Sequence, residues 1–144
     1  MTHEDRGHYA KKHPADRTVK PEIAEAVKKR TSNGKISCPE AFKIAGDLNV
    51  QPAEIGFTID FLETRIMKCQ LGLFGHSPEK SIVKPAKNVS RALEEAIRER
   101  LIKGRLPCKA AWEIAQKSEI PKMGVSSACD TLGIKINSCQ LGSF

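Results

Sequence analysis

Gly34-Lys35-Ile36-Ser37-Cys38-Pro39-Glu40-Ala41-Phe42-Lys43-Ile44-Ala45 returns later in the chain as Gly104-Arg105-Leu106-Pro107-Cys108-Lys109-Ala110-Ala111-Trp112-Glu113-Ile114-Ala115. In both stretches a glycine ends a helix and a short extended piece follows. A proline then opens a second helix whose Ala and Ile recur at helical spacing. Outward from this core, residues 22–74 and 92–144 align without a gap, and roughly 16 of 53 positions are identical. Each copy closes on the same words, Cys69-Gln70-Leu71-Gly72 with Phe74 and Cys139-Gln140-Leu141-Gly142 with Phe144.

The repeat divides the chain into a basic flexible arm (1–21), a first unit (22–75), a basic linker (76–91) and a second unit (92–144). Units of this size lie near the lower limit for independent folding, so a shared interface between them is expected. Each unit predicts three helices and a final strand. The first helix carries Ile23, Ala26 and Val27 in one copy and Leu93, Ala96 and Ile97 in the other. The third presents Ile55, Ile59 and Leu62, or Val125, Cys129 and Leu132. The segments 65–74 and 135–144 read as strands. The fold class is mainly α, a small α+β protein.

This order, with Ala41-x-x-Ile44-Ala45 before Val50-x-Pro52 and Ile55, and Ala111-x-x-Ile114-Ala115 before Ile120-Pro121 and Val125, resembles a tandem winged-helix, helix-turn-helix protein. In such a motif the small alanine lets two helices cross closely and the later Val or Ile fills the gap between them. A complete wing needs two strands after the third helix, and the second copy offers one. That strand must pair either with the Lys35-Ile36 type of segment or with its counterpart in the other copy. The repeated Cys-Gln-Leu-Gly words are not assigned to a named family, and Gln70 and Gln140 are expected at the interface between copies.

The formal charge of +7 is unevenly spread: residues 1–21 carry +2, residues 22–75 carry none, and residues 76–144 carry +5. A basic half suits a polyanion. The resemblance implies that the outer face of the third helix meets DNA. In the second unit that face offers Lys122, Ser126, Ser127 and Thr131, with Arg98, Lys103, Arg105 and Lys109 around its first helix and turn, and Lys84 and Lys87 in the linker. The first unit has Phe57 and Phe61 on the corresponding face, among Glu54, Asp60 and Glu63. These phenylalanines are expected to make a protein contact, either with the second copy or with another chain, self-association included. The expected function is therefore a regulatory protein for double-stranded DNA, in which the first unit joins and the second binds. The alternative is a non-catalytic protein-interaction module with a cysteine-ligated metal or redox-sensing site.

Four cysteines form repeated pairs, Cys38 with Cys108 and Cys69 with Cys139, and Cys129 stands where the first copy has Ile59. If the short strand pairs with the last one, Cys38 nears Cys69 and Cys108 nears Cys139. Two dithiols, or one four-thiolate site, would then suit zinc or an iron–sulfur cluster. No CxxC spacing brings ligands together locally, which favours core thiols and no cofactor. Arg30 with Arg100, and Asp60 with Asp130, read as structural ion pairs or caps. His3, His8, His13 and His76 lie outside the repeats. No phosphate-cradling loop, carboxylate pair or nucleophile–base set is visible, so no enzyme activity is expected. Without a long apolar run or a hydrophobic leader, the expected location is cytoplasmic and not membrane-bound.

Overall fold

The computed structural model describes residues 18–77 and 80–144; the expected arm up to Arg17, with His3, His8 and His13, lies outside the described residues. The described chain is mainly helical, with short strands. It divides into two compact units, one ending its first stretch at Cys69 and also holding Gln140–Phe144, the other comprising Gln70–Cys139.

In the first unit, helix α1 (Pro21–Arg30) starts with proline in its first turn and buries Ile23 and Val27, one helical turn apart. The Thr31 hydroxyl donates to Val27 O at 2.7 Å. Asn33 (φ 51°) and Gly34 (φ 72°) then reverse the chain. Both are left-handed, and Asn and Gly are the residues that tolerate that region best. Strand β1 (Lys35–Ser37) runs directly into helix α2 (Cys38–Leu48), where the Ser37 hydroxyl caps the helix by accepting from Glu40 N at 3.2 Å. Asn49, again left-handed, ends α2. Pro52 opens helix α3 (Pro52–Phe61), and strand β2 (Arg65–Met67) follows.

The strands β1 and β2 are parallel, in the register Lys35↔Arg65, Ile36↔Ile66 and Ser37↔Met67. A parallel pair needs a long crossover, and α2 with α3 supplies it. Of the two partners open to the last strand, the short segment before the second helix is therefore the one used.

The second unit repeats this plan. Its elements are helix α4 (Arg91–Glu99), strand β3 (Leu106–Pro107), helix α5 (Cys108–Ser118), helix α6 (Lys122–Leu132) and strand β4 (Ile136–Asn137). Its parallel register is Leu106↔Ile136 and Pro107↔Asn137.

Two expectations need correction. The strands are much shorter than 65–74 and 135–144, because Lys68 (φ 55°) and Ser138 (φ 54°) turn left-handed and break the extended run. The compact units also do not follow the repeats: each Gln-Leu-Gly-x-Phe tail lies in the unit that the other repeat begins. Leu71 and Leu141, the apolar residues of those tails, are buried at 0% and 2% exposure.

In the first unit the Leu141 backbone lies so close to α3 that a Cβ on Gly56 would overlap its carbonyl. In the second unit a Cβ on Gly72 would meet Val83 at 2.9 Å and Met123 of α6 at 3.1 Å. Gly72 is itself left-handed at φ 78°, a conformation glycine adopts without penalty. Gly72 thus serves a turn and a close approach.

Leu141→Ala should therefore cost about 2–5 kcal/mol of stability, the range for truncating a buried leucine. Gly56→Ala, which adds only a methyl group, should also destabilise, by about 1–3 kcal/mol, through overpacking against a backbone that cannot swing aside. Thermal denaturation of both variants checks this. A Gly56→Ala variant melting with the parent would contradict the packing described.

Candidate nucleic-acid interface

The linker meets α6 at Ala86, which forms two bonds with the helix: its N–H donates to Ser127 O at 3.1 Å, and its carbonyl accepts from the Thr131 hydroxyl at 2.7 Å. The linker is anchored farther back at Gly72, whose carbonyl accepts from Ile82 N at 2.9 Å and from the Ser81 hydroxyl at 3.3 Å. Ser126 is buried at 2% exposure. Its hydroxyl points back to Lys122 O at 3.5 Å. Of the residues expected to read bases, Ser126 is interior, the exposed Thr131 hydroxyl donates to the linker, and Ser127 meets the linker through its backbone carbonyl alone. Lys122 lies with Nζ 4.4 Å from the Trp112 ring centroid, a cation–π contact that steadies α6 on α5.

The expected cations of the second unit fall into two groups. On α4, Arg98 pairs with Glu94 at 2.8 Å and Arg91 with Glu95 at 3.1 Å, both exposed pairs one helical turn apart. Arg100 reaches Glu113 of α5 at 3.1 Å, as Arg30 reaches Glu40 and Asp47 in the first unit. The repeated arginine thus ties the first helix of each unit to its second. Such pairs contribute roughly 0–1 kcal/mol each and neutralise their own charge.

The other group is Lys103, Arg105, Lys109 and Lys135, all exposed and without an ion pair among the described residues. Three of them lie at the entry to the strand pair, and Lys109 lies beyond the other end of β3. Leu106 and Ile136 are register partners, so Arg105 and Lys135, each one residue earlier, enter side by side. Lys103 sits in the preceding turn, and Lys109 in the first turn of α5. Juxtaposed like charges repel and raise the local positive potential, which an anion would relieve. Lys84 and Lys87 are exposed on the linker. Lys135 was not among the residues singled out from sequence; only the strand register brings it to this group.

In the first unit, the solvated face expected around Phe57 is absent. Every residue from Ile55 to Asp60 is buried, with Phe57 at 3% exposure. Phe61 remains 50% exposed, its ring centroid 6.3 Å from that of Phe57. Only the outer member of the pair can meet another molecule.

The strand registers bring Cys38 and Cys69 to the same end of β1 and β2, and Cys108 and Cys139 to the same end of β3 and β4. All but Cys139 are buried, and each pair stays within its own unit. Among the described residues no three side chains of His, Cys, Asp or Glu come together as a metal-holding group. Among the same residues, no helix is long and apolar enough to cross a membrane. Comparison with family models, curated proteins and solved structures finds no match to this chain.

Cys129, buried on α6, has its thiol pushed up to about 11 by burial. A thiol whose folded pKa lies above its unfolded value keeps its contribution to stability below the unfolded pKa and loses it as pH rises through the folded one. Stability should therefore fall by about 2–3 kcal/mol between pH 9 and 11 through this group. Cys129→Ala, measured by chemical denaturation across that interval, should lose this part of the pH dependence while the parent keeps it.

Proposed function

We propose that the protein is a non-catalytic, double-stranded DNA-binding regulator whose contact surface is the mouth of the second strand pair. The observation that carries this reading is the placing of Lys103, Arg105 and Lys135 at the entry to β3 and β4, exposed and without ion-pair partners among the described residues, with Lys109 likewise unpaired in the first turn of α5. Exposed, unneutralised cations are the groups that neutralise phosphates along a duplex and release their counterions. Contact through phosphates positions a protein without specifying sequence. The hydrogen bonds between the linker and α6 argue against a recognition role for Ser126, Ser127 and Thr131, and move the interface to the opposite end of the unit's charge distribution.

Affinity for a labelled DNA duplex should fall steeply with salt, with a slope of about 0.9 per neutralised phosphate on logarithmic axes. The triple variant Lys103→Ala, Arg105→Ala, Lys109→Ala should flatten that slope by about three such contacts and weaken binding at low salt by at least tenfold. Lys28→Ala with Lys29→Ala in the first unit should change little. No binding by the parent at low salt would rule the reading out.

A second reading attaches to the first unit. The half-exposed ring of Phe61 beside buried Phe57 favours a protein contact, with another copy or a partner. Light scattering of the parent against Phe61→Ser measures it: a contact between copies predicts a concentration-dependent larger species that the variant lacks.

A further inference from the structure

The turns Ser32–Lys35 and Ile102–Arg105 share one backbone but not one chemistry. In each, the flanking residues exchange both main-chain hydrogen bonds: Ser32 with Lys35 at 2.8 and 3.0 Å, and Ile102 with Arg105 at 2.8 and 3.1 Å. The central residues are left-handed in both, Asn33 and Gly34 at φ 51° and 72°, Lys103 and Gly104 at 52° and 78°. Two positive φ values are the signature of a type I′ turn, for which Asn-Gly is the favoured pair. The second unit has put lysine where the first has asparagine, and a left-handed lysine costs roughly 1 kcal/mol. It has also replaced Ser32 by Ile102, which is 62% exposed. The lysine works against stability and the exposed isoleucine against solubility, at the same turn.

Residues that exchange both hydrogen bonds stand directly opposite each other, with their side chains on one face. Ile102 and Arg105 are therefore neighbours on the outer face of the turn, with Lys103 at its tip. An apolar branch held beside a guanidinium and an ammonium matches the two demands of a minor groove: cations for its walls, and an apolar wedge that can enter between base steps. The turn lies between the first helix and the first strand of its unit, so it does not occupy the position of a wing.

Resting on the DNA-binding reading above, we infer that the Ile102–Arg105 turn is a wedge that enters the minor groove of duplex DNA and bends it. Its preferred sites are flexible pyrimidine–purine steps, where unstacking costs least. Ile102 supplies the wedge, and Lys103 and Arg105 hold the flanking backbone.

The test uses the full chain and a duplex of about two helical turns carrying 2-aminopurine beside a central TA step and a donor–acceptor dye pair on its ends. The parent should raise 2-aminopurine emission and bring the dyes closer. Ile102→Ser, which restores the residue of the first unit at an exposed position, should lose both signals and weaken binding by about tenfold while keeping the parent's salt slope. Ile102→Leu should keep both signals. Circular dichroism of the variants shows whether folding is intact. If Ile102→Ser unstacks and bends DNA like the parent, the wedge is overturned while DNA binding stands. If the parent binds no duplex but binds vesicles containing anionic lipid, and Ile102→Ser loses that binding, the partner is a lipid surface and both proposals fall.

Discussion

The packing of one short tail against α3 bears on the rest of the first unit. Leu141 is buried in a unit whose described residues, apart from its own tail Gln140–Phe144, all precede Gln70, and its backbone approaches α3 so closely that position 56 has room only for hydrogen. A unit of this size has little apolar surface to bury, and a fully buried leucine contributes about 1.5–3 kcal/mol. That is a large fraction of the stability available to so small a core. The second unit depends in the same way on Leu71, drawn from the end of the first repeat. The duplication is thus reciprocal: neither repeat contains all the residues of either compact unit.

This arrangement explains why the Gln-Leu-Gly-x-Phe words persist in both copies while most other positions differ. Each word has to fit the unit in which it is buried, so neither tail can change without regard to the other repeat's helices. The copies also differ at the surface. In the second unit the turn at Gly72 leads into a linker that bonds α6 at Ala86. The Ser127 carbonyl and the Thr131 hydroxyl of α6 are the groups that hold it.

The element order was legible in the residues, for local reasons. Gly34 and Gly104 mark left-handed turns, Ser37 and Ser90 are capping residues, and Ile23 with Val27 shows the helical period. Each of these signals acts within one or two turns of chain. The length of the final strands was misjudged because Lys68 and Ser138 adopt a left-handed backbone that neither residue type announces. Phe57 was placed outside because α3 was assumed to have a solvated face, whereas residues 55–60 are buried all round. No local pattern announces that Ser126 turns inward or that Ala86 bonds α6 at Ser127 and Thr131. The contrast between Ser32-Asn33 and Ile102-Lys103 was in plain view, but its meaning depended on knowing that both turns share the same φ values and that Ile102 stays exposed.

By itself, then, the sequence determined the duplication, the mainly helical character, the succession of elements and the basic bias of the second half. These follow from short-range periodicity, turn chemistry and charge. Only the tertiary structure decided that the strands pair in parallel, that the tails change units, that the linker bonds α6 at Ala86, and that Arg105 and Lys135 stand side by side. Those facts depend on contacts between residues far apart in the chain. Their energies come from burial and backbone hydrogen bonding, which no local pattern of residues encodes.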